Sequence, residues 1–234
     1  MRARRYLEEL ARFLKLLVRP AVRGTEDEII RNFHDLYFWG RMGEPRIFAQ
    51  ASWMGVPCVK CPLDLWIYQE ILSEVCPDLV VETGTYAGGT TLFLAHILDL
   101  LGNGAVVSID IEDRPRSAHP RIRYVTGPST DAVLVRRVLD TYERTRCLVI
   151  FDSDHSRDHV LREMELFFPY VSVGSYMIVE DTNRNGHPVC NSFGPGPYEA
   201  VAEFLSHHDN FTADRSREKF LMTFNPNGYL KRIT

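Results

Sequence analysis

From residue 78 onward, short apolar runs alternate with stretches of helical period, and no other feature of the sequence restricts the fold as strongly. The runs occupy 79–81, 105–109, 122–125, 147–151 and 176–179, and helical stretches cover 90–101, 131–142 and 159–168. Runs this short and this apolar suit strands buried on both faces. Parallel strands need crossover connections, which the helical stretches supply, so the expectation is an α/β fold with a mostly parallel sheet and helices on both faces. Ligands of such sheets sit at the carboxyl ends of the strands. Toward the end of the chain, Phe220-Leu-Met-Thr-Phe224 and Tyr229-Leu-Lys-Arg-Ile233 flank Asn225-Pro-Asn-Gly228, whose Asn-Gly step signals a C-terminal antiparallel hairpin.

Upstream, residues 1–75 read as a helical segment packing on a core domain of residues 76–234. Thr25-Glu-Asp-Glu28 has the spacing of a capping box, so a helix is expected from there toward Trp39. Gly40, Gly43 and Pro45 punctuate the connection that follows, and a further helix is expected over 63–74, stopped by Pro77. Between Arg2 and Arg23, Leu7, Leu10, Leu14 and Leu17 recur at helical spacing among Arg4, Arg5, Arg12, Lys15 and Arg19. Such a helix packs on the domain or on a second copy of the chain, or lies on an anionic membrane surface as a peripheral contact. Protruding helices of this kind favour a homo-oligomer.

With 234 residues and a net charge of −4, the chain is long enough for a full-sized core and has no overall electrostatic pull toward nucleic acid. A small acceptor is the better expectation. Five cysteines at irregular spacing make no disulfide framework, which points to a reducing, cytoplasmic setting, and the lone Cys58-Val-Lys-Cys61 reads as plain thiols. No apolar run approaches the ~18 residues that cross a bilayer.

The chemistry gathers at the ends of the apolar runs. Glu82-Thr-Gly84-Thr85-Tyr-Ala-Gly88-Gly89 joins a buried strand to a helix, where missing side chains let the backbone approach a ligand. The turn lacks the Lys-Ser/Thr of a phosphate loop and the spacing G-x-G-x-x-G. Its acid, Glu82, would repel a pyrophosphate and favour the ammonium and sulfonium of S-adenosylmethionine. Asp110 ends the next run, near the position where dinucleotide folds put the acid that binds ribose hydroxyls. Ser129 can reach an adenine edge. Each residue also has a plain structural use, Asp110 in a turn and Ser129 as a helix N-cap, but their recurrence at successive strand ends favours a cofactor site.

Two more strand ends carry clustered acids, Asp152-Ser-Asp154-His155 and Glu180-Asp181. Carboxylates this close repel one another, and an oxygen-preferring divalent cation, Mg2+ best of all, is the natural compensation. Coordination would lower the pKa of an acceptor hydroxyl and fix it in line with a sulfonium methyl. His155 is the candidate base for the proton; a helix-start histidine bonded to Asp152 or Asp154 is its structural alternative.

Several segments resemble the cephalosporin hydroxylase/rhamnosyl O-methyltransferase family. They are Lys60-x-Pro-x-Asp64-x-Trp66-x-Tyr68-Gln-Glu70-Ile, Glu82-x-Gly-Thr-x-x-Gly-Gly89, Asp152-Ser-Asp-His155, Val179-Glu-Asp-Thr-Asn183-x-Asn185-Gly-His187-Pro-Val189 and Phe193-Gly-Pro-Gly-Pro-Tyr198-Glu-Ala200. The likeness runs from about residue 35 to the end. It implies a Rossmann-like class I methyltransferase fold, S-adenosylmethionine, a divalent metal, and O-methylation of a sugar, glycolipid or secondary-metabolite hydroxyl. It places Glu180 and Asp181 among the metal ligands with Asp152 or Asp154 as the third carboxylate, and puts Asn183, Asn185, His187 and Tyr198 on the substrate side. The family's hydroxylase label raises the alternative of an oxygenase component or a non-catalytic partner subunit. An iron oxygenase needs two histidines and a carboxylate, and the chain's H-x-D, at His207-His-Asp209, has no later histidine to complete that set.

Overall fold

The computed structural model describes residues 24–41, 45–142 and 145–234. Residues His34–Thr234 form one compact unit, while the basic stretch from Arg2 to Arg23 lies outside the described residues. Helix α1 (Glu26–Trp39) starts with the expected reciprocal cap: Thr25 N donates to Glu28 Oε2 at 2.8 Å and Glu28 N to Thr25 Oγ1 at 3.3 Å. A two-strand ribbon, β1 (Ser52–Trp53) and β2 (Val56–Pro57), leads into α2 (Pro62–Val75), which has proline in its first turn and an αL cap at Cys76.

Then come β3 (Leu79–Thr83), α3 (Gly89–Leu101), β4 (Ala105–Asp110), β5 (Ile122–Thr126), α4 (Ala132–Leu139), β6 (Cys147–Phe151), α5 (Arg157–Phe167) and β7 (Tyr176–Val179). The chain closes with α6 (Pro197–His207), β8 (Phe211–Ala213) and β9 (Tyr229–Arg232). The seven-stranded sheet has the order β5-β4-β3-β6-β7-β9-β8. The first five of these strands are parallel, and β9 is antiparallel to both β7 and β8. Alternation along each strand divides the core into two layers. Val80, Val106, Leu148 and Ile150 face α2 and α3, whereas Val81, Val107, Val149 and Met177 face α4, α5 and α6.

One expectation needs correction. The C-terminal antiparallel pair exists, but its first strand is β8, and Phe220–Phe224 is not a strand. The polar groups of that segment are claimed elsewhere. Asp64, buried on α2, accepts from Thr223 Oγ1 (2.5 Å), Phe224 N (2.8 Å) and Tyr229 Oη (2.8 Å), which ties the segment to a helix instead of a neighbouring strand.

After β3 the chain builds outward through β4 and β5, then returns to lay β6 on the other side of β3. The crevice at the carboxyl ends of β3 and β6 is therefore the switch point where a ligand site is expected.

Candidate active site

At this crevice two strand ends almost touch. Gly84 follows β3 with φ +83°, its N–H donates to Ile109 O at 2.8 Å, and a Cβ built on it would stand 1.9 Å from Asp152 O. Asp152 N in turn donates to Thr83 O at 3.0 Å. Only glycine allows the strand carrying Asp152 to approach this closely. Gly88 caps α3 and Gly89 begins it.

Two cavities share Gly84, Tyr86 and Asp152. The first, about 520 Å³, is lined on its far side by Asp110, Ser129, Ser153 and His159. Asp110 accepts from Tyr86 N at 2.8 Å and from Glu112 N at 2.9 Å, with Arg116 Nη2 at 3.2 Å. Ser129 does not cap α4, because Asp131 does so through Val133 N and Leu134 N. Its Oγ instead lies 3.4 Å from His159 Nε2. Ser153 Oγ donates to the buried Glu163 at 2.7 Å, and the Glu163 carboxylate, 3.6 Å from His159 Nε2, raises the pKa of His159. Glu82 lines neither cavity: its carboxylate is buried beneath the turn, accepting from Thr91 (2.5 Å) and Ser108 (2.6 Å), and burial pushes it up to about 7. Thr85 joins the same network through Ser108 Oγ at 2.7 Å.

The second cavity, about 350 Å³, is lined by Phe38, Phe48, His155, Asp181, Arg184 and Phe224 around the shared residues. At its border Lys60 Nζ lies 2.5 Å from Asp152 Oδ2 and 2.6 Å from Glu180 Oε1. Tyr68 Oη also donates to Glu180, and Asn225 bridges Tyr68 Oη (3.1 Å) and Asp181 N (3.1 Å). Asp181 receives Arg184 Nη2 at 2.6 Å and faces His155 Nε2 at 3.4 Å. Burial pushes Asp152 and Glu180 up to about 7 despite Lys60, with Asp181 adding to the rise at Asp152 and Asp152 to that at Glu180. Burial works against ionisation of Asp181 too, but His155 and Arg184 hold it below the usual carboxylate range. Burial lowers His155, so it is neutral and able to accept a proton near pH 7.

Other expected residues lie apart from this cluster. Asp154 accepts from Ser156 N at 2.7 Å ahead of α5 and borders the first cavity. Asn183 is fully buried and bonds His34 Nε2 at 2.8 Å, lining neither cavity. Asn185 and His187 both meet Glu199, at 3.0 and 3.1 Å, and His187 stacks on Tyr198 at 3.7 Å. These three brace the loop before α6 and also line neither cavity. Motif reading gave no role to Lys60, Tyr68 or Arg184. The available signal was Asp64 and Tyr68 at i,i+4, polar groups stacked on the otherwise apolar face of α2.

A switch-point crevice with a glycine turn, an acid at the end of β4 and a mixed sheet closed by an antiparallel strand defines a class I, S-adenosylmethionine-dependent methyltransferase. Residues 46–233 match the family described as Rhamnosyl O-methyltransferase/CmcI, and the chain belongs to that family of O-methyltransferases. It is 38% identical over 229 residues to a rhamnosyl O-methyltransferase of Mycobacterium tuberculosis, covering 93% of this chain and 89% of the relative. It is 39% identical over 215 residues to that of Mycobacterium leprae, covering 88% and 91%. Among solved structures, CmcI with Mg and SAM superposes with a TM-score of 0.60 at 19% identity, covering 93% of this chain and 88% of the other. That likeness is one of fold.

Proposed function

We propose that the protein transfers the methyl group of S-adenosylmethionine to a hydroxyl of a sugar, rhamnose being the first candidate, on a glycolipid or secondary-metabolite acceptor. The observation that carries this reading is the meeting of the two cavities at Asp152: one is walled by Asp110 and Ser129, the other by His155, Asp181 and three phenylalanines. The names of the mycobacterial relatives support the sugar.

The first cavity takes the cofactor, with Asp110 toward its ribose and Ser129 and His159 toward its base. Glu82, one layer below, biases the turn toward a cationic ligand. In the second cavity Phe38, Phe48 and Phe224 offer an apolar wall to a sugar ring and exclude water. The acceptor oxygen attacks the methyl carbon as the carbon–sulfur bond breaks, leaving S-adenosylhomocysteine, and its proton passes to His155 Nε2. Asp181, 3.4 Å from that nitrogen, stabilises the imidazolium that forms. Asp152, Glu180 and Asp181 suit a hard divalent cation in kind, being buried oxygen donors short of positive charge. Such an ion would draw electron density from the acceptor oxygen and lower its pKa.

The basic Leu-periodic segment from Arg2 to Arg23 is proposed to rest on an anionic lipid surface, which suits a lipid-linked acceptor. Among the described residues no helix is long and apolar enough to cross a membrane. A screen of rhamnosylated lipids, macrolides and free sugars with methyl-labelled S-adenosylmethionine tests the proposal. Label in a sugar hydroxyl supports it, and label confined to non-sugar acceptors overturns it.

A further inference from the structure

The acid cluster already holds a cation of the chain's own. Lys60 lies between β2 and α2, is 2% exposed, and places Nζ within 2.6 Å of oxygens from both Asp152 and Glu180. An ammonium at those distances fills the gap between the two acids, the position a divalent ion shared by them would need. Asp181 is engaged separately by Arg184. Among the described residues no three His, Cys, Asp or Glu side chains are already arranged to hold an ion. Glu180 is also held by Tyr68, itself fixed by Asn225, so this carboxylate keeps its place if the ammonium withdraws. The lysine stem has four rotatable carbons, which allows that withdrawal without movement of the backbone.

We propose that Lys60 is a tethered counter-cation that holds Asp152 and Glu180 together, and that a divalent metal enters by displacing it, so that Lys60 sets the metal affinity of the site. It is a positioning residue, and the inference rests on the reading of these acids as metal ligands given above. Without Lys60 the two buried carboxylates repel and favour any ion that replaces the missing charge. With Lys60, the ion competes against a group that never leaves the protein.

The test titrates magnesium chloride into full-length wild type, Lys60→Met and Lys60→Arg by calorimetry at about pH 8, where the carboxyls are ionised, and follows thermal denaturation with and without Mg2+. Lys60→Met is expected to bind Mg2+ about tenfold or more tighter than wild type, to melt lower without the ion, and to recover with it. Lys60→Arg, which keeps the charge, stays near wild type. Folding of Lys60→Met only in the presence of Mg2+ also supports the proposal. Unchanged or weaker Mg2+ binding by Lys60→Met, in a wild type that binds, overturns the inference and leaves the metal reading standing. So does failure of Lys60→Met to fold in saturating Mg2+. If neither protein binds Mg2+, the metal reading itself falls and takes this inference with it.

Discussion

Replacing Gly84 with alanine perturbs a close backbone approach between the glycine turn and the acid-bearing strand. The new Cβ would lie 1.9 Å from Asp152 O, and β3 and β6 must part by about 1.5 Å there to restore an ordinary contact. That displacement breaks or stretches Asp152 N to Thr83 O and Gly84 N to Ile109 O, at roughly 1 kcal/mol each. A non-glycine residue at φ +83° adds about 1–2 kcal/mol. The total is roughly 3–4 kcal/mol, or about 6–16 °C in Tm for a domain of this size. Gly102→Ala is the internal control. Its φ is +71° but no atom lies within 4 Å of its Cβ, so it bears only the backbone cost of about 1–2 kcal/mol. Denaturation midpoints and S-adenosylhomocysteine binding by calorimetry are measured for both variants. Gly84→Ala is expected to lose ligand affinity as well as stability, and Gly102→Ala to keep its affinity. Equal stability losses with unchanged binding in both would refute the close-approach argument.

Three further outcomes are expected. His155→Ala should lower kcat by about 10²–10⁴-fold with S-adenosylhomocysteine binding intact, and the wild-type acid limb, where the base gains its proton, should fall below pH 6.5; a rate within roughly threefold of wild type would remove His155 from the proton path. Burial lowers His34 to about 4, so between pH 6.5 and 4 the unfolded chain binds a proton that the folded one refuses. Wild type should therefore lose up to roughly 3 kcal/mol relative to His34→Phe as pH falls through that window, and parallel pH profiles in urea melts would contradict it. Removal of residues 1–23 should abolish co-sedimentation with anionic liposomes while leaving methyl transfer to a water-soluble acceptor, and undiminished sedimentation would reject the membrane role.

The parallel core was legible because its strands are short apolar runs and most crossovers are periodic helices, two independent signals that agree at each step except β4 to β5, whose connection carries no helix. The glycine turn was legible as a turn for a local reason: glycines between strand and helix leave little else for the segment to be. Legibility failed where partners are distant in sequence. Phe220–Phe224 has the composition of a strand, yet Asp64, about 160 positions earlier, takes its hydrogen bonds. Asn183, Asn185, His187 and Tyr198 read as ligand residues, and each has a partner distant in sequence: His34 at Asn183 Nδ2, Glu199 at Asn185 and His187, and Asn227 at Tyr198, with Asn183 Oδ1 left without one. Helix α6 went unread because its start lies in Gly-Pro-Gly-Pro; Glu199 accepting from Gly196 N at 2.7 Å supplies the cap. Lys60 opens one of the family-like segments but carries no role there, since a lone lysine reads as solvated until two acids from other strands are placed around it.

The acids around the meeting point of the two cavities are proposed to serve methyl transfer to a sugar hydroxyl. The direct measurement is turnover of methyl-labelled S-adenosylmethionine on a rhamnosylated acceptor by the purified chain, with and without a chelator, for wild type, Asp152→Ala and Glu180→Ala. Transfer is expected from wild type alone, lost on chelation and in both variants. Undiminished transfer in the chelator and in both variants would contradict that role.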